Sequence, residues 1–427
     1  MADTATFGAA MKTKFIGPIR DNFHNGKVLL FGSGTEPDQG PGSTGNPTDF
    51  KGIQGSAEGI DFVGNEFRIP IKTDRNQSVG FRSENEYLPA PGSSSYTYLN
   101  EPMRYAYALF NITGQLLRAS ESTEGAFKAA FKAEINDTIL SSKLDHNRAA
   151  FGDSTGKLAA VVTGGNGVAT VVVDSTINFR GGEVIDFCTT AGVVISPAHV
   201  VTGIARSTKT LTISPVTAAN VTNAHYPVRS STDSTIAVPN NSQFKEIQGL
   251  SSIVAATGTL HGLSPTTYTW WKSYIDSTAG AISDRRLRDA KDGVMFESGA
   301  DLDSGNDFAV VTTRGIRSRY ADTLTALKRF NDAQSTTLRG GFNVLYFDEN
   351  PIFTDDQCPV GNVFGITLNK LFWAQMSDWN WMEEDGKVLK WESRRDRYIA
   401  VLYKYTQLGT TQRNAHFRLT GVTDDSR

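Results

Sequence analysis

The sequence predicts an α+β protein built around one long helix, interrupted by an inserted small all-β module, and preceded by an arm and an extended loop without a core of their own. Three observations carry this. Apolar residues recur at four-residue spacing through Thr123 to Arg148, which is helix periodicity. The segment between Leu158 and Arg229 is dominated by Thr, Val and Gly with few charges, the texture of short strands between turns. Beyond it, helix-like and strand-like runs alternate before a strand-rich, aromatic end.

The bulk properties set the frame. A chain of 427 residues exceeds the size at which single cores stop growing, so at least two compact units are expected. With 39% hydrophobic residues, 10% aromatics and a formal charge of -3, the chain is ordinary globular protein. The near-neutral balance argues against a general nucleic-acid binder, whose grip on phosphate comes from clustered Lys and Arg. Cys188 and Cys358 lie far apart without CxxC or Cys/His companions, so free thiols in a reducing compartment are expected. Met1 to Met11 lacks the basic and apolar regions of an export signal, and no apolar run is long enough to span a bilayer, so the chain is expected to stay in the cytoplasm without a membrane partner.

Taken in order, residues 1–50 form the arm: Gly32 to Asp49 holds no apolar side chain larger than proline and cannot bury a core. Residues 51–100 read as a two-stranded excursion, with Phe67, Ile69 and Ile71 and then Val79 and Phe81 alternating with polar neighbours. Its charges, Lys72, Asp74, Arg75, Arg82, Glu84 and Glu86, sit among few large apolar residues, so outside support is expected. Within 101–157 lies the long helix, with Phe127, Phe131, Ile135 and Ile139 on one face, Ser122 or Thr123 as cap and Glu124 in its first turn. At about 1.5 Å per residue it spans roughly 35 to 40 Å. Residues 158–232 form the β insert, with strand-like runs at Val168 to Val173, Glu183 to Cys188, Val200 to Ile204 and Thr210 to Ile213. In 233–367, Ser283 to Phe296 and Tyr320 to Phe330 read as helices and Phe308 to Thr312 and Phe342 to Phe347 as strands. In 368–408, Leu371 to Trp381 and Tyr398 to Tyr405 are the strongest strands, and 409–427 closes the chain with a polar tail.

Catalytic motifs fail on detail. GDSTGK at Gly152 to Lys157 has three residues between its glycines, is followed by Leu158 and leaves a helix, whereas a phosphate-binding loop needs four, a Ser or Thr, and a preceding strand. DLDSGND at Asp301 to Asp307 begins like a calcium loop, but Gly305 and Thr312 stand at positions five and twelve. Glu383, Glu384 and Asp385 beside Trp379 and Trp381 suggest a carbohydrate site, yet the tryptophans alternate at strand spacing and the acids sit at a turn. His24, His146, His199, His225, His261 and His416 are scattered singly. Arg394, Arg395 and Arg397 could touch phosphate, but Glu392 and Asp396 interrupt them and inter-subunit ion pairs fit as well. No cofactor, metal or enzymatic activity is expected.

The C-terminal third carries a resemblance. Strand Phe342 to Phe347, Pro351, the turn Pro359-Val360-Gly361-Asn362, a strand through Ile366, the aromatic segment Leu371 to Trp381, then Arg395 to Tyr405 and His416 to Leu419 follow the order that ends tailed-bacteriophage major capsid proteins, a fold shared with encapsulin shell proteins. Arm, extended loop, spine helix and axial domain also follow that order upstream, so the chain resembles this family over nearly its whole length; the β insert departs from the minimal fold. The resemblance implies a peripheral domain made of 101–157 and 368–408, and an axial domain made of 233–367 and the last strands. It implies an arm draped over a neighbour and a loop lying on an adjacent peripheral domain, with Lys72, Arg75, Arg82, Glu84, Glu86, Arg394, Arg395 and Arg397 in inter-subunit contacts. It further implies hexamers and pentamers forming an icosahedral virion capsid around weakly contacted double-stranded DNA, assembled in the host cytoplasm with scaffold, portal and decoration proteins as partners. In some members a loop lysine is cross-linked to a neighbour's asparagine, for which Lys51 or Lys72 and Asn369, Asn380 or Asn414 are the candidates. Two other readings stay open: an encapsulin-type cellular shell, and a soluble β-rich carbohydrate-binding or carbohydrate-active protein.

Overall fold

The computed structural model describes residues 61–115, 124–230, 241–300, 302, 308–328, 345–348, 350–383, 386–392 and 395–425. The expected arm, residues 51–60, the Ser122 or Thr123 cap, most of the Asp301 to Asp307 loop, Glu384, Asp385 and Arg394 lie outside them.

The chain is mixed α and β, with 17% of its residues helical and 41% in strands. Strands β1 (Asp61–Val63), β2 (Glu66–Asp74) and β3 (Ser95–Pro102) form an antiparallel three-stranded sheet. This excursion differs from the expectation that it lacks a core. Phe67, Ile69, Leu99 and Met103 at its base are buried in the largest cluster of the same chain, and Phe67 meets His261 and Phe372 edge-on at 5.4 Å each. Alternation explains it: Ile69 pairs with Leu99, so both apolar residues leave the sheet on one face, toward the body.

Strand β4 (Arg104–Thr113) leads to helix α1 (Glu124–Phe151), whose Ile135 and Ile139 are buried and whose last residues, Ala149 to Phe151, enter the main core. The helix runs three residues past the expected end, because Ala149, Ala150 and Phe151 are all apolar and buried. Its end lies against the short helix α2 (Leu250–Ile253), where a Cβ on Gly249 would sit 2.4 Å from the Gly152 carbonyl oxygen. Only glycine permits that approach.

The insert holds β5 (Val161–Thr163), β6 (Thr170–Val173), β7 (Val184–Thr189), β8 (Val194–Ala205), β9 (Thr210–Ser214) and β10 (His225–Arg229), in the spatial order β10-β7-β8-β9-β6-β5. Leu158 N–H donates to the Pro227 carbonyl, which brings the two ends of the sheet together around a separate core of Val171, Phe187, Val201, Leu211 and neighbours. A fourth unit combines β11 (Tyr274–Asp276), helix α3 (Asp284–Ser298), β12 (Phe308–Thr312), helix α4 (Arg314–Lys328), β13 (Leu345–Phe347), β14 (Asn350–Thr354) and β15 (Val363–Thr367). Helix α4 begins six residues before the expected Tyr320, because Thr313 accepts from the Ile316 N–H at its start and Ile316 and Tyr320 share its buried side.

Strands β16 (Leu371–Trp381), β17 (Lys390–Trp391) and β18 (Arg397–Thr410) complete a sheet in which β18 is central, with β4 on one edge and β16 and β17 on the other. Strand β19 (Phe417–Leu419) returns to pair with β11 and β15. The main core draws on the loop base, the end of α1, α2, β12, β15, β16 and β18 together, so these parts are not separate cores. Arg413 staples this junction from inside: buried without an ion pair among the described residues, it donates to the carbonyls of Ser252, Ile253, Thr257, Gly258 and Trp271. Burial alone pushes its guanidinium down to about 10.

Candidate assembly surfaces

Beyond its buried base the loop carries apolar side chains that nothing among the described residues covers. Val79 is 86% exposed, Phe81 102%, Tyr87 96% and Leu88 84%. Covering such side chains is worth about 1.5 to 3 kcal/mol each, so four of them together are a surface awaiting contact. The tip nevertheless has local order. Ser83 N–H donates to Glu86 Oε2 at 3.0 Å, and Arg82 donates to the Tyr87 carbonyl at 3.2 Å and the Phe81 carbonyl at 2.9 Å. Of the charges expected to reach a neighbour, Arg82 and Glu86 are therefore spent shaping the tip. Lys72, Arg75 and Glu84 are exposed and form no ion pair among the described residues.

The second surface is one face of the sheet around β18. The face toward α1 buries Phe110, Ile112, Trp379, Trp381, Ala400 and Leu402 against Ile135 and Ile139. Residues of the opposite parity point away: Tyr105, Tyr107 and Leu109 on β4 are exposed, and Tyr403 and Tyr405 on β18 are half-buried. Register pairs Tyr105 with Tyr405 and Tyr107 with Tyr403. The rings of Tyr105 and Tyr405 meet edge-on at 4.9 Å, and those of Tyr403 and Tyr405 lie 5.0 Å apart. A hydrogen bond with Tyr107, with some burial, pushes the Tyr405 phenol above its ordinary value. The result is an aromatic plate with polar hydroxyls, suited to contacts that are partly apolar and partly wet. Sequence reading missed it, although RYAYALFNIT from Arg104 to Thr113 alternates Tyr and Leu with Ala and Phe and was the available signal.

The remaining candidates scatter. Arg397 is held by both carboxylate oxygens of Glu392 in its own chain, while Arg395 is exposed and 4.0 Å from the same carboxylate. GDSTGK is the turn from α1 into the insert, shaped by Ser154 and Gly156 at positive φ, and Asp153 accepts the Thr155 N–H at 3.2 Å. Glu383 lies exposed two residues beyond the end of β16, and Trp379 and Trp381 are core. Asn414 is buried and donates to the Glu297 carbonyl at 2.9 Å. Asn369 and Asn380 are exposed, and Asn380 pairs with Tyr403 on the aromatic face.

The histidines are structural where they are buried. His416 accepts the Thr367 N–H at Nδ1 and therefore donates from Nε2 to Thr410 Oγ1. Burial, with Lys370 nearby, pushes its imidazole down to about 3. His261 accepts the Thr410 N–H at Nε2 and faces Glu101 with Nδ1 at 3.4 Å. Burial raises the Glu101 carboxyl, and His261, Gln248 and Arg104 together outweigh it to leave a net lowering. Both cysteines are free and buried, and burial beside Asp186 pushes the Cys188 thiol up to about 12. Among the described residues no group of three or more His, Cys, Asp or Glu could hold a metal, and no helix is long and apolar enough to cross a membrane.

No protein-family model and no curated protein matches this chain. Among solved structures, a chain of the cyanophage A-1(L) capsid asymmetric unit aligns with a TM-score of 0.55 at 13% identity, covering 86% of this chain and 90% of that one. A chain of the capsid of a native GTA particle gives 0.45 at 11% identity over 91% and 95%. One of the cyanophage P-SCSP1u capsid gives 0.40 at 7% over 92% and 93%. The A-1(L) likeness establishes the fold: this chain has the architecture of tailed-phage major capsid proteins.

Proposed function

We propose, from a chain with the capsid fold and two uncovered apolar surfaces, that it is the major capsid protein of a tailed double-stranded DNA bacteriophage. It assembles as hexamers and pentamers into an icosahedral shell around the genome. The observation that carries this reading is the A-1(L) alignment, because it extends over 86% of this chain and 90% of the other. The exposed loop tip and the tyrosine face support it: each lacks a partner within the described chain, and the tip of one copy laid on the face of the next satisfies both. Lys72, Arg75 and Glu84 then reach the rim of the neighbour's sheet, and Arg395 lies on that sheet's edge.

In this reading the protein is structural and not an enzyme, its location is the virion capsid, and assembly takes place in the host cytoplasm. Scaffold and portal proteins are its partners. Contact with DNA is weak, as the net charge of -3 requires. Electron microscopy of the protein expressed alone and with its genomic neighbours tests the proposal. Closed shells of tens of nanometres are expected, whereas a monomer in every condition overturns it. Shells filled with a cargo enzyme and no DNA would replace it by the encapsulin-type reading.

A further inference from the structure

We infer that the inserted sheet, closed into a barrel where Lys157 bridges Val228, is clamped to the C-terminal end of α1 by a five-member ion cluster, so that barrel and helix end turn as one rigid body and the insert is not a swivelling appendage. The covalent connections alone do not impose this. The chain leaves through a turn containing Gly152 and Gly156 and returns near Ser230, and such a two-point tether leaves rotation open.

The cluster closes that freedom. Arg148, on the last turns of α1 and only 6% exposed, donates from Nε to Asp145 Oδ1 at 2.9 Å. Its Nη2 bonds Glu246, in the segment leading to α2, and its Nη1 donates to the Lys157 carbonyl at the outgoing joint at 3.3 Å. Arg229, the last residue of β10, forks between Asp145 on the helix and Glu183 just before β7. Each arginine thus spans two elements, and Asp145 is shared by both. Burial pushes the Asp145 carboxyl up, but Arg148 and Arg229 overturn it and bring it down to about 2. Burial raises the Glu246 carboxyl, Arg148 opposes this, and the nearby Asp145 adds to the net rise.

Backbone and amide contacts define the plane in which the cluster acts. Ser242 N–H donates to the Arg229 carbonyl at 2.9 Å and Phe244 N–H to the Thr155 carbonyl at 3.2 Å, tying the returning strand to both joints. Asn241 donates to Asp186 and Gln243 to the Tyr226 hydroxyl, each at 3.1 Å, from the host segment into the barrel. Because Ala149, Ala150 and Phe151 continue from the cluster into the main core, a force on the barrel is delivered to the core and not absorbed at a hinge. Arg148 and Glu246, 6% and 13% exposed, resist separation because removing one leaves the other desolvated and uncompensated, while Arg229 and Asp145, 25% and 36% exposed, hold with a smaller share of that penalty.

Spin labels on the full-length protein at Val193→Cys in the barrel and Leu144→Cys on α1, both exposed positions, test this. Both native cysteines are buried and stay unlabelled. The expected result is one narrow distance distribution, which Arg229→Gln roughly doubles in width by freeing barrel from helix while the capsid fold persists. Glu246→Gln, which keeps volume and an acceptor for Arg148, is the second variant should Arg229→Gln fail to fold, and a smaller broadening is expected. A broad distribution in the unsubstituted pair overturns the rigid body. Equally narrow distributions in the pair and in the folded variants show that the cluster does not set the angle, and overturn the clamp.

Discussion

The two faces of the sheet around β18 are made by the same strands and differ only in residue parity. Toward α1, Phe110, Trp381, Ala400 and Leu402 are sealed within one chain. On the other side Tyr105, Tyr107 and Leu109 are left to solvent. The difference separates two kinds of apolar surface: one stabilises the protomer, and the other, under the proposed function, becomes stabilising only when a second copy covers it. The loop repeats the lesson along its length, with Phe67 and Leu99 sealed at the base and Phe81 and Leu88 bare at the tip.

Breaking the covered face should have the largest effect. Trp381→Ala or Leu402→Ala is expected to cost about 3 to 5 kcal/mol of protomer stability in denaturant titration, from lost transfer energy and the cavity left behind. A loss below about 1 kcal/mol would mean that this face is not closed as described. Next comes the buried polar junction of Thr367, Thr410 and His416. The folded His416 holds its imidazole near 3 against 6.5 for the unfolded chain, so the fold binds fewer protons and its stability, complete above 6.5, falls as pH drops. Between pH 6.5 and pH 5 this amounts to about 1.6 kcal/mol. A urea midpoint that declines less steeply in His416→Gln than in the parent is the expected signature, and equal slopes contradict it.

The open face sharpens the comparison by its small effect on stability and large effect on association. Leu109→Ser, exposed on the same face, is expected to change protomer stability by less than about 1 kcal/mol. It should nevertheless abolish closed shells in sedimentation, and normal shells would remove the tyrosine face from the interface. Arg395→Ala marks the lower limit: an exposed pair at 4.0 Å is worth about 0.5 kcal/mol or less. A larger change in protomer stability would assign Arg395 a structural role within its own chain.

Legibility followed the range of the interactions. Helix α1, β12 and β16 were readable because their periodicity is local and long. The burial of the loop base was not, since Phe67 and Leu99 need His261 and Phe372, far away in sequence, to form their pocket. The charged candidates fared unevenly for a related reason. Sequence marks Arg82 and Arg397 as charged, but only the fold reveals that the first is bound to the tip's own carbonyls and the second to Glu392. The tyrosine face went unread because β4 also alternates small apolar residues, which blurs the contrast between its faces.

Sequence alone determined the α+β class, the long helix, the all-β insert, the missing catalytic motifs and the order of segments that resembles a shell protein. Each of these depends on composition or on neighbours within a few turns of chain. Tertiary structure alone decided which apolar residues are sealed and which are left bare, and how the insert is joined to α1. Those outcomes depend on the meeting of Arg148 with Glu246, Arg229 with Asp145 and Tyr105 with Tyr405, residues that only the folded chain brings together.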